Sequence, residues 1–144
     1  MRGMTQERYE LELGVLQRKL APNLYRFFDL DTDEPYVVFG ARTNRGNVYT
    51  LRIELEDFPE NIPKVFVTRM LKDKHGNDLD SCSACMHTLT SEHGRTRICH
   101  FGFDSWHPEV SLYKVFIKSR LWLEMYEQHL RTGKDIDYYL NHQE

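Results

Sequence analysis

The chain has 144 residues, 40% of them hydrophobic and 28% charged, with a formal net charge of -3. A chain of this length forms one domain spanning residues 1–144, buries roughly two-thirds of its unfolded surface and needs no disulfide staple. The slight acidic excess excludes a nucleic-acid surface of the usual kind, because phosphate binders carry a clear basic excess.

Basic residues are scattered, as at Arg42 and Arg45, Lys72 and Lys74, and Arg95 and Arg97, with no aromatic ladder between them. No apolar stretch approaches the roughly 20 residues that span a bilayer, so no membrane partner is expected. The polar start, MRGMTQERYELEL, lacks the apolar centre of an export signal, and the cysteines number 3, an odd count. A reducing cytoplasm is the expected compartment.

The first element is a helix. Tyr9, Leu13, Leu16 and Leu20 recur at spacings of three and four, Thr5 stands as its N-cap and Pro22 ends it. The opposite face, with Gln6, Arg8, Glu10, Gln17 and Arg18, reads as solvated. Short strand-like runs follow at residues 25–30, 36–41, 48–55 and 64–70, separated by turn residues at 31–35 and 43–47. This spacing predicts a four-stranded antiparallel meander.

From residue 72 to 97 the periodicity is lost among Asp, Gly, Ser, Asn, His and Cys, and a long irregular loop is expected. Order returns at Ile98. Leu112, Val115, Phe116, Trp122, Met125, Tyr126 and Leu130 then mark one face of a long helix from residue 111 to 131, capped by Gly133. Ile136, Tyr138, Tyr139 and Leu140 predict one or two further helical turns packed back on it. The fold class is α+β, helices segregated from an antiparallel sheet.

Cys99 lies within TRICHFGFDSWHPEVSLYKVF, between Gly94 and Gly102, where irregular chain meets the restart of order. Three roles are open to it: nucleophile, metal ligand with Cys82 and Cys85, or half-buried inert thiol. Cys82-Ser-Ala-Cys85 is a C-x-x-C spacing, and His93 is the better third ligand, since using Cys99 would quench a nucleophile.

Two stretches resemble the ubiquitin-conjugating enzyme family. NVYTLRIELEDFPENIPKVFV, residues 47–67, is similar to the family's third strand, aromatic-Pro turn and Pro-Lys-Val strand. RICHFGFDSWHPEVSLYKVFI, residues 97–117, is similar to its catalytic Ile-Cys, downstream Trp-x-Pro and following helix. With the surrounding element order, the resemblance runs from about Tyr9 to about Leu130.

It implies that Cys99 receives a ubiquitin-like protein as a thioester from an activating enzyme and passes it to an amine on a target protein, with or without a ligase. The activating partner consumes the ATP, so no cofactor or metal is implied here, and no Gly-rich phosphate motif occurs in the chain. The compact ending resembles prokaryotic relatives from conjugation operons linked to antiviral defence.

The chain departs from the family's His-Pro-Asn motif, whose Asn is linked to oxyanion stabilisation. MHTL stands there, so His87 matches the His while Thr88 and Leu89 replace Pro and Asn. Leucine donates no hydrogen bond. His93, His100, Asp104 or backbone N–H groups near Cys99 are the candidates to take over that task, and Asp104 also to assist loss of the amine proton. His87 reads as a residue that pins the loop, with a catalytic part as the alternative. Trp106 and Pro108 read as architectural, and Phe101 and Phe103 as core or rim. The rival readings are a non-catalytic module of the same fold and a zinc-stabilised adaptor.

Overall fold

In the computed structural model, which describes residues 3–141 with Phe103 and Asn141 as backbone only, Thr5 caps the first helix as its position predicts. Its hydroxyl accepts the Arg8 N–H at 3.0 Å, and helix α1 runs over Gln6–Lys19. Leu20 is already extended, and Pro22 opens a single 3-10 turn, Pro22–Leu24. Leu16 is fully buried, while Tyr9 and Leu20 pack partly against the core.

The chain then forms β1 (Tyr25–Phe28), β2 (Tyr36–Arg42), β3 (Val48–Glu54) and β4 (Val65–Val67) as consecutive antiparallel neighbours. Alternation sets the faces. Val37, Phe39, Ala41, Tyr49, Leu51 and Ile53 all turn inward, the period-two pattern of a sheet with one covered face.

Residues 72–97 are not structureless, and that expectation is corrected. They contain β5 (Thr88–Glu92) and β6 (Arg95–Ile98), an antiparallel hairpin whose β6 joins β4. The sheet therefore has six strands in the order β1-β2-β3-β4-β6-β5. His93 (φ 54°) and Gly94 (φ 72°) form the turn, with both central residues left-handed as a two-residue hairpin turn of this twist requires. The buried residues here include Thr88 and Thr96, which conceal a strand from any search for apolar alternation. Thr96 is fully buried because its hydroxyl accepts the Leu71 N–H at 2.8 Å.

Helix α2 (Leu112–Thr132) lies on the apolar face, with Phe116 stacked on Phe39 at 4.8 Å between ring centroids. Ser111 caps its start by accepting the Lys114 N–H, and Gly133 ends it at φ 80°, as the sequence predicts. The expected last turns form α3 (Ile136–Asn141), anchored by a fully buried Ile136.

Arg8, expected on a merely solvated face, is instead tied into the fold together with the buried Glu12. The Glu12 carboxylate accepts Arg8 Nε at 2.8 Å and the Leu112 N–H at 2.7 Å. Arg8 donates in turn to the carbonyls of Pro108 and Val110. The pair on α1 thus holds the segment leading from Trp106 into α2. No helix of the described residues is long and apolar enough to cross a membrane.

Candidate functional site

Cys99 is the first residue beyond β6, and its N–H donates to the His87 carbonyl at 2.9 Å, prolonging the β5–β6 ladder by one step. That carbonyl also accepts the Trp122 indole N–H at 3.1 Å. Helix α2 thereby sets the height of the strand end that carries the thiol. Trp122 itself is 2% exposed and stacked on Tyr126, so it is a rigid anchor.

The thiol is half-buried and lies where two cavities meet. The larger, about 710 Å³, is walled by Ile62, Pro63, Leu89, Ile98, Phe101 and Trp106, with Arg97 and His100 among its polar lining. The smaller, about 280 Å³, is bounded by His87, Lys118, Leu121, Trp122 and Leu140. Cys99, His100, Phe101 and Gly102 line both. Trp106 closes one end by donating to the Pro59 carbonyl at 3.1 Å and meeting Phe58 and Phe101 edge-on. This is the architectural part expected of it. Phe101 is core, at 9% exposed, with Lys118 Nζ 4.4 Å over its ring, and the Phe103 side chain lies outside the described residues.

Electrostatics at the sulfur are mixed. Burial pushes the Cys99 thiol above its ordinary range, and the Arg97 guanidinium pulls the other way. In an extended strand Arg97 and Cys99 share a face, a placement that the R-I-C alternation offers to a reader of the sequence. The Cys99 thiol is 3.9 Å from the Phe101 carbonyl, too long to tie the sulfur down.

The other candidates separate cleanly. His87 sits at φ 50° with Nε2 3.0 Å from the Asp137 carboxylate, so its ring ties the loop to α3 beside the smaller cavity. His93 is six residues from Cys99 along the hairpin, about 20 Å at strand rise, and borders a separate charged cleft with Arg52, Lys64 and Glu92. It is therefore not available to the sulfur. Asp104 is exposed in the 3-10 turn Phe103–Ser105 and lines neither cavity. His100 is different: it lines both, its Nε2 is buried without a partner, and burial pushes its pKa down to about 4. Its imidazole is therefore uncharged at neutral pH.

Cys82 and Cys85 are both exposed and free. Among the described residues no three His, Cys, Asp or Glu side chains come together as a metal cage, so the zinc adaptor gains no support. Leu89, standing where the resembled family has Asn, forms apolar wall in the larger cavity and pairs with Arg97 across the hairpin. Sequence reasoning missed that role and the Trp122 bond to the His87 carbonyl, because both depend on the β5–β6 hairpin, whereas the Arg97 placement could have been found from the alternation alone.

Compared with protein-family models, curated proteins and solved structures, the chain matches none of them. The chemistry must therefore be read from the site itself. A half-buried thiol where two cavities meet, one of them with an apolar wall, is placed for acylation at sulfur.

Proposed function

We propose that the protein carries a ubiquitin-like protein as a thioester on Cys99, taking it from an activating enzyme and handing it to a target amine. The reading extends to the ubiquitin-conjugating type of fold, with β5–β6 added to the expected meander, and to a prokaryotic conjugation system linked to antiviral defence. What supports it most is the setting of Cys99, whose sulfur stands half-open between two cavities at the end of a strand. Cysteine suits the task because its thioester still releases readily to an amine.

A second reading, a binding module of the same fold with an idle thiol, is favoured by one observation. Burial raises the Cys99 thiol, which lowers the thiolate fraction that attacks. The two readings part in one mixture of the protein, its activating enzyme, the ubiquitin-like protein and ATP, run on a non-reducing gel. The carrier reading expects a thiol-sensitive adduct that disappears in Cys99→Ala. No adduct beside a demonstrably active partner favours the module.

A further inference from the structure

The turn before β5 is tied to α3 twice. Asp137 N–H donates to the Cys85 carbonyl at 2.8 Å, and the Asp137 carboxylate lies 3.0 Å from His87 Nε2. A carboxylate takes an imidazole N–H, so the neutral ring carries its proton at Nε2 and its lone pair at Nδ1. Among the described residues no hydrogen bond engages Nδ1, and with 28% of its side chain exposed the ring is open to solvent.

His87 lines the smaller cavity, and so does Cys99. Their main chains are joined by the bond from Cys99 N–H to the His87 carbonyl, a step that sets Cα atoms about 5 to 6 Å apart. Among the described residues no carboxylate lines this cavity, and Lys118 supplies its permanent charge. An ammonium there meets like charge and the apolar wall of Leu121, Met125 and Leu140, which favours loss of its proton.

We propose that His87 is the base that takes the proton of the attacking amine at Nδ1, with Asp137 as its positioning residue, and that the smaller cavity admits that amine. On the carrier reading, on which this rests, the amine nitrogen attacks the thioester carbonyl of acylated Cys99. An N–C bond forms and the C–S bond breaks. Nδ1 takes one proton from the nitrogen and returns it to the departing Cys99 thiolate, so the ring ends as it began. Asp137 keeps the other ring proton at Nε2 and steadies the transient imidazolium.

The test uses the chain carrying Cys82→Ser and Cys85→Ser, so that Cys99 is the one thiol open to p-nitrophenyl acetate. Its thiolate attacks the acetyl carbonyl, an S–C bond forms and p-nitrophenolate leaves. Butylamine, which reproduces the lysine side chain, is then added, and loss of the acetyl group is followed by intact mass. Position 87 sits at φ 50°, a conformation that glycine adopts freely. His87→Gly therefore removes the imidazole without straining the turn and leaves a space of the ring's own shape. Tryptophan fluorescence checks the turn, because Trp122 donates to the His87 carbonyl.

His87→Gly is expected to slow the reaction with butylamine about 100-fold, the usual worth of a positioned base. Free imidazole should restore roughly a tenth of the lost rate to this variant and add nothing comparable to the parent, a rescue that a merely structural tie does not give. Asp137→Asn is expected to cost about ten-fold, with the ring proton moving from Nε2 toward Nδ1 in a proton–nitrogen correlation spectrum.

An unchanged rate in His87→Gly, a loss that imidazole leaves untouched, or a neutral parent ring protonated at Nδ1 overturns the base and leaves the carrier reading standing. Failure of Cys99 to take the acetyl group at all overturns both.

Discussion

Glu12→Ala is expected to lower the unfolding free energy by about 3 kcal/mol, read from urea unfolding followed by tryptophan fluorescence. Glu12 is 4% exposed although charged, and its two oxygens answer two different parts of the chain. Removing it leaves the first N–H of α2 without its acceptor and Arg8 without its counter-charge. Arg8 is held by the Pro108 and Val110 carbonyls and stays where it is, so the cost resembles that of an unpaired buried ion. Glu12→Gln keeps an oxygen for Leu112 and loses the charge, so about half the effect is expected. A midpoint and slope unchanged in Glu12→Ala would contradict this account of how α1 holds the approach to α2.

The second large effect is an acid sensitivity carried by His100. Burial holds its folded pKa near 4, below the ordinary 6.5, with Lys118 and Arg97 pushing the same way. Between those two values the unfolded chain binds a proton that the folded chain refuses. Stability from this group is therefore intact above pH 6.5, falls as pH drops and levels out below about 4. The loss amounts to about 3 kcal/mol over the window. In His100→Phe that contribution vanishes. Thermal unfolding at pH 7 and at pH 4 should show the difference between variant and parent shift by this amount in favour of the variant. Parallel curves would mean that the ring is not buried in neutral form.

The elements legible in the sequence are those whose signals are local. Thr5 and Ser111 precede their helices as caps, Pro22 and Gly133 end them, and alternation in β2 and β3 is apolar enough to count. The β5–β6 hairpin was hidden for two physical reasons. Its turn uses His93 in the left-handed region, where Asn or Asp is the usual signal, and its inward residues are partly threonines satisfied by distant backbone groups.

The site inherits this difficulty. Cys99 stands out from its surroundings in the chain, but the groove around it comes from Ile62, Leu89 and Arg97, brought together only by β6 pairing with β4. An ion pair at i, i+4 such as Arg8–Glu12 looks solvated until a third partner a hundred residues away is known.

Cys99→Ser is the most direct test of the thiol as acyl carrier. Charged by the activating enzyme and followed by intact mass, the parent protein should gain the mass of one ubiquitin-like protein less one water and lose it to excess thiol. The serine variant should gain the same mass at a slower rate and keep it in thiol, releasing it only in hydroxide. An adduct on the serine variant that thiol still removes, or a parent adduct that maps to Cys82 or Cys85, would contradict the assignment of Cys99.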